Sequence, residues 1–292
     1  MKRLLLAIAF AALSILALNA EEKTKVYSFD DITRIEAGFL YRVHVKEGKS
    51  GKVEVVYESE YERHIRVRYR ENEKKLVLEL NDIPNKFKTG NQPHIYVYIE
   101  MDHIDEITLT GASKAFFDGN FTTDNLLLAT SGATEISDLN VNGRSLGIHF
   151  SGASKAEISG DFTGEVEMEI SGASNGKFNI SSAALDAELS GAGNILYTGN
   201  IKECGIECSG ASKIQLSGKG SKISIEGSGA CNIDARNFAA GYADIELSGV
   251  SKAKVNADKV LKYDISRTSK MTYFGNPELI NLNDDYNVVK GD

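Results

Sequence analysis

Ser151-Gly-Ala-Ser154, Ser171-Gly-Ala-Ser174 and Ser209-Gly-Ala-Ser212 are three copies of one four-residue mark that recurs through the chain. Counted on the glycine, the set is Gly111, Gly132, Gly152, Gly172, Gly191, Gly210, Gly229 and Gly249, at spacings of 21, 20, 20, 19, 19, 19 and 20 residues. The variants stay close to the mark: Thr110-Gly-Ala-Ser113, Ser131-Gly-Ala-Thr134, Ser190-Gly-Ala-Gly193, Ser228-Gly-Ala-Cys231 and Ser248-Gly-Val-Ser251, with a degenerate ninth copy at Ser266-Arg-Thr-Ser269. A fixed period of about 20 residues is the signature of a repeat architecture.

Each mark is flanked by apolar residues at every second position, the pattern of a half-buried strand. Around Gly172 they are Val166, Met168 and Ile170, then Phe178 and Ile180; around Gly249 they are Ala243, Ile245 and Leu247, then Ala253 and Val255. The opposite parity is polar, with Glu167, Glu169 and Lys177 in one copy and Asp244, Glu246, Lys252 and Lys254 in the other. Continued through the mark, the alternation places its glycine and its second serine on the inward face. Glycine there lets walls approach closely, and the inward hydroxyl is expected to bond to its neighbour in the next coil or to a nearby carbonyl.

A unit of about 20 residues holds two or three short strands and cannot bury its apolar face alone, so successive units must stack. The Leu and Asn framework of leucine-rich repeats is missing, and a propeller blade needs about twice the length. The fold class is therefore all-β: a single-stranded parallel β-helix, expected to be right-handed. Nine coils at about 4.8 Å per rung make a rod of roughly 40 Å.

The remaining segments fit around this rod. Residues 21–105 lack the mark but alternate at Ile35, Phe39, Tyr41, Val43 and Val45, at Ile65, Val67 and Tyr69, at Leu76, Leu78 and Leu80, and at Ile95, Val97 and Ile99. They read as a β-rich cap and first coils, with a separate small β-domain as the alternative. Residues 106–275 are the marked coils. Residues 276–292 read as a closing tail, in which Pro277 is expected to stop regular pairing. Residues 1–20, with Lys2-Arg3, the apolar run Leu4 to Leu18 and Asn19-Ala20, have the form of a secretory signal cleaved after Ala20.

Without Lys2 and Arg3 the formal charge is 31 − 41, or −10. An acidic chain with no basic cluster is a poor partner for nucleic acid and is repelled by anionic membrane surfaces. No other stretch is long and apolar enough for a transmembrane segment. The expected place is outside the cytoplasm: the periplasm, the outer membrane surface or the medium. Cys204, Cys208 and Cys231 all fall on the inward parity. They are expected as buried free thiols, with a cross-coil disulfide as the rival.

The opening Phe29-Asp30-Asp31-Ile32-Thr33-Arg34-Ile35, Val43-His44-Val45, Ile107-Thr108-Leu109-Thr110-Gly111-Ala112 and the repeated Leu/Ile-Ser-Gly-Ala together resemble the head GIN domain group of auto-transporter adhesins, exported proteins of Bacteroides-type bacteria. The resemblance spans roughly residues 28–275. It implies a parallel β-helix at the cell envelope with an adhesive role, and it supplies no catalytic residues. No C-terminal translocator barrel is visible in the chain.

Other chemical signatures are weak. Gly218-Lys219 is followed by Gly220 where a phosphate loop needs Ser or Thr. Gly227-Ser-Gly229 lies within a strand repeat and is not followed by a helix. His44, His64, His94, His103 and His149 show no metal-ligand spacing and are expected at solvated or turn positions. No catalytic residue or cofactor is therefore assigned.

The function read from the chain is a non-enzymatic structural or adhesive binding module, with a polysaccharide-acting lyase or hydrolase as the alternative. Its partner is an envelope protein or glycan, and self-association stays open. One column carries a sharper hypothesis. Glu169, Glu188, Glu207, Glu226, Glu246 and Asp264, each two residues before a motif serine, should stack outward as a line of carboxylates. That line is either a solvated, mutually repelling edge or a linear site for a divalent cation such as calcium or for a basic partner. A second column, Lys114, Lys155, Asn175, Asn194, Lys213, Asn232, Lys252 and Lys270, lies too far along the strand to pair with it.

Overall fold

The computed structural model describes residues 22–82, 95–282 and 287–292. The secretory signal expected at residues 1–20 and His94 lie outside them. The fold is all-β, a solenoid of parallel coils with antiparallel strands at its first end; among the described residues the helical elements are short 3₁₀ turns at Ser59–Tyr61 and Glu71–Glu73. In the regular part, Asn175–Leu189, Asn194–Cys208, Lys213–Gly227, Asn232–Leu247 and Lys252–Ile265 each run parallel to the next. Changes in repeat length are absorbed as register shifts within the strands: one residue is gained between Gln215 and Ser217, while the next coil is shorter and its pairing shifts between Ala235 and Ala239 and again between Ala240 and Tyr242. The stacked corners on either side stay in register.

One continuous apolar core runs from Ile32 to Met271. Inward residues stack in columns: Ile170, Leu189 and Cys208 in one, Phe178, Tyr197 and Leu216 in another. Each large aliphatic side chain so buried contributes about 1.5–3 kcal/mol.

The motif glycines do not lie inside, contrary to the alternation read through them. Gly152, Gly172, Gly191, Gly210 and Gly229 are exposed at a corner with φ between +78° and +101°. The backbone turns through the left-handed region, so Ile170 and Ser174 both point inward while Ser171, Gly172 and Ala173 form the outer bend. The second serine is inward as expected: Ser154, Ser174, Ser212 and Ser251 are buried. Ser154 Oγ donates to Ser151 O at 3.0 Å, Ser174 Oγ to Ser171 O at 3.2 Å, and Thr134 Oγ1 to Ser154 Oγ at 3.0 Å.

Phe39, expected in the core alternation, holds the glycine place of the first corner. Its φ is +62°, its ring is half exposed, and its carbonyl accepts from Ala112 N. Around it, Arg34–Ala37 pairs parallel with both Lys75–Leu80 and Glu106–Gly111. Tyr41–Lys46 pairs parallel with both Ile95–Glu100 and Lys114–Asp118. Antiparallel strands cover this end of the stack: Lys52–Glu58 lies between Ile95–Glu100 and Glu22–Ser28, and Ile65–Arg70 lies against Lys75–Leu80. On Glu22–Ser28, Lys23 and Lys25 both reach Glu62, at 2.8 and 3.0 Å, and hold its carboxyl down to about 2. Charge on an outer strand discourages further pairing.

At the other end, Pro277 does not stop the sheet. Glu278–Asn281 begins directly after it and pairs parallel with Lys252–Ile265, and Val288–Lys290 pairs with Lys270–Phe274. A proline just ahead of a strand removes no ladder hydrogen bond. Among the described residues no helix is long and apolar enough to cross a membrane.

Candidate functional site

The parallel register places the predicted carboxylates in one line. Glu169 pairs with Glu188, Glu188 with Glu207, Glu207 with Glu226, Glu226 with Glu246, and Glu246 with Asp264. Continued toward the first coils, the line runs through His149, Ala129 and Thr108. His149 Nδ1 lies 2.9 Å from Glu169 Oε2 and closes that end of the acidic run.

The line is one wall of an open groove of about 1040 Å³ that runs along the corner. The motif serines Ser151, Ser171, Ser190, Ser209, Ser228 and Ser248 form the other wall. The hydroxyls of Ser151, Ser171, Ser209 and Ser248 turn back to the preceding coil, with Ser151 Oγ donating to Thr130 O at 3.1 Å and Ser171 Oγ to Phe150 O at 3.3 Å. The groove therefore offers carboxylate oxygens and serine lone pairs, which are acceptors. Glu207 is held above the usual carboxylate range, first by Glu226, then by partial desolvation and by Glu188 and Asp186. Among the described residues no group of three or more His, Cys, Asp or Glu side chains converges as a metal site.

The second column forms as expected and contains one residue that the sequence reading passed over. Glu135 stands between Lys114 and Lys155, accepting from Lys114 Nζ at 2.7 Å and from Lys155 Nζ at 3.3 Å. Its carboxyl lies below the usual range, chiefly through the Lys114 hydrogen bond. Its place three residues after Gly132 is the sequence signal that would have found it.

A further outward feature was legible only as parity. On the first coils, Phe116, His44 and Tyr98 stand in one cross-strand row, with ring centroids 5.0 and 5.1 Å apart, and Arg42 lies 5.7 Å over the Tyr96 ring. Burial first, and Arg42 second, lower the pKa of His44. His64 stands in a turn, as expected, but is buried there, with Nδ1 2.9 Å from Asn81 O.

The cysteines divide. All three are buried as expected, but Cys208 and Cys231 are joined in a disulfide and only Cys204 is free. Cys231 takes the serine place after one corner and Cys208 the large apolar place before the previous one. The stacking of those corners brings the two Cα atoms to 6.2 Å, within the span of a bridge.

No curated protein matches the chain. Among solved structures, a crystal structure described as "putative lipid binding protein" from Parabacteroides distasonis ATCC 8503 aligns at 13% identity with a TM-score of 0.50, over 94% of this chain and 98% of that one. Another, described as "a putative adhesin" from Parabacteroides merdae ATCC 43184, aligns at 14% identity with a TM-score of 0.51, again over 94% and 98%. Likeness at such identities carries the fold alone. The profile of one family matches residues 31–182 and again 170–277, so that both passages run through the Ser-Gly-Ala corners. The chain belongs to the family described as "Putative auto-transporter adhesin, head GIN domain".

Proposed function

We propose that this chain is an exported, non-enzymatic adhesive module of the bacterial cell envelope that grips an extended partner along its acidic groove. Residues 21–105 serve as its cap and first coils, 106–275 as its repeat coils and 276–292 as its closing segment. The observation that carries the reading is the in-register line from Glu169 to Asp264 beside a groove walled by serines. The same acceptor set recurs on each rung, about 4.8 Å apart. A polymer that brings ammonium or hydroxyl donors at many points along its length gains from that repetition, because each contact after the first is intramolecular. An envelope glycan or a basic, extended protein segment has this chemistry. The Cys208–Cys231 bridge supports export, since such bonds persist in oxidising compartments.

Purified protein applied to a glycan array and to solubilised envelope fractions tests the reading. Binding that weakens as salt rises, and that falls about tenfold in Glu188→Gln with Glu226→Gln, is the expected result. Turnover of a polysaccharide by the purified protein, or retention unaffected by the double variant, overturns it.

A further inference from the structure

The repeat departs from its own pattern at three positions that come together in space. The inward residue before the corner runs Ile170, Leu189, Cys208, Gly227, Leu247 and Ile265 through successive coils. The inward residue after it runs Ser174, Gly193, Ser212, Cys231 and Ser251. Gly227 is the one member of the first column without a side chain. It lies between Cys208 and Leu247, and Leu247 Cδ2 occupies the space at 2.8 Å from where a Cβ would stand.

The bridge from Cys208 to Cys231 crosses both the corner and the step between two coils. Those are the coils that carry Glu207 and Glu226. Glu207 directly precedes Cys208, Glu226 directly precedes Gly227, and the register pairs carboxylate with carboxylate and Cys208 with Gly227. The groups that act on Glu207 from the neighbouring strands are Glu226, Glu188 and Asp186, all acidic. Like charges side by side on a sheet favour separation of the strands. One end of the covalent tie, Cys208, directly follows Glu207, and the other, Cys231, lies just past the corner that follows Glu226.

We propose that Cys208 and Cys231 form an oxidation-set clip that locks the two central coils of the groove against the repulsion of Glu207 and Glu226. The clip forms by thiol–disulfide exchange. The thiolate of one cysteine attacks a sulfur of a small-molecule or protein disulfide and expels one thiol. The thiolate of the other cysteine then attacks the mixed disulfide and expels the second. Two electrons and two protons pass to the oxidant, and one S–S bond forms in the chain as another breaks. Because Cys208 and Cys231 are both buried, exchange precedes closure of these coils, and the finished bond is shielded from reductant. This inference stands apart from the identity of any ligand.

The test compares protein refolded with oxidised glutathione and protein refolded in dithiothreitol, by intact mass and by amide hydrogen exchange. The oxidised form should weigh two hydrogens less. The reduced form should lose protection by about fivefold or more at the amides of residues 204–209 and 223–228, with distant coils unchanged. In the reduced form, Glu207→Gln with Glu226→Gln should restore most of that protection, a rescue that a cross-link without a charge partner does not produce. Equal masses, unchanged exchange on reduction, or no rescue by the glutamines overturns the proposal.

Discussion

Gly172 lies directly over Gly152: Ala173 N donates to the Gly152 carbonyl at 2.7 Å, and a Cβ on Gly172 would stand 2.4 Å from that same oxygen. Two demands meet at this atom. The corner needs φ of +78° at Gly172, and the coils must stack backbone against backbone to make the next hydrogen bond. Only glycine satisfies both.

Gly172→Val should therefore destabilise the protein by about 2–5 kcal/mol, from left-handed strain and the clash with backbone together. The neighbouring position supplies the control. Val250 occupies the alanine place of its own corner and is exposed, so Ala173→Val should stay within about 0.5 kcal/mol of wild type. Denaturant melts of the two variants check this, and equal stabilities would contradict the corner geometry.

The carboxylate line should cost stability when ionised. Glu207 has a raised folded pKa, so the stability it contributes on protonation is present below the unfolded value and is lost as pH rises through the folded one. Glu207→Gln with Glu226→Gln should raise the melting temperature by about 1–3 °C at pH 7 and have no effect at pH 3. Millimolar calcium, which bridges neighbouring carboxylates, should raise the melt of wild type and leave the double variant unmoved. A double variant that melts below wild type at pH 7 would mean that the line is held by a partner group.

Glu135 should behave in the opposite sense. Its folded pKa is lowered, first by the Lys114 hydrogen bond, so its contribution is present above the unfolded value and lost as pH falls through the folded one. Glu135→Gln should lower the melt by about 1–3 °C at pH 7, and the difference should close toward pH 2. Melts in a pH series read both carboxylates in one experiment.

Cys204 should be silent in the native state. It is buried, and desolvation, with Asp186 second, pushes its thiol up to about 12. Native protein should give no rapid reaction with a thiol reagent, unfolded but unreduced protein one equivalent, and unfolded reduced protein three. Fast native labelling would place the thiol outside the core.

The regular strands were legible because alternation reports which face is wet, and that report is local. Ile170, Leu189 and Ser174 could be assigned inward from spacing alone, and the stacking of Glu169 through Asp264 followed from their fixed place two residues before each motif serine. Alternation failed where the chain stops being extended. At Gly172 and Phe39 the backbone turns through positive φ, so counting in twos keeps the right parity on either side of the bend and the wrong one within it.

The repeat in the sequence determined the all-β solenoid, the coil period and the column of carboxylates, because a unit of that length has no way to bury its apolar face except on its neighbours. The tertiary structure alone decided that the serine corner stands out from the sheet and makes the carboxylate line one wall of a groove. It decided also that Cys208 meets Cys231 while Cys204 stays free. Both outcomes depend on how one corner sits over the next, a distance between residues about 20 apart that no local pattern encodes.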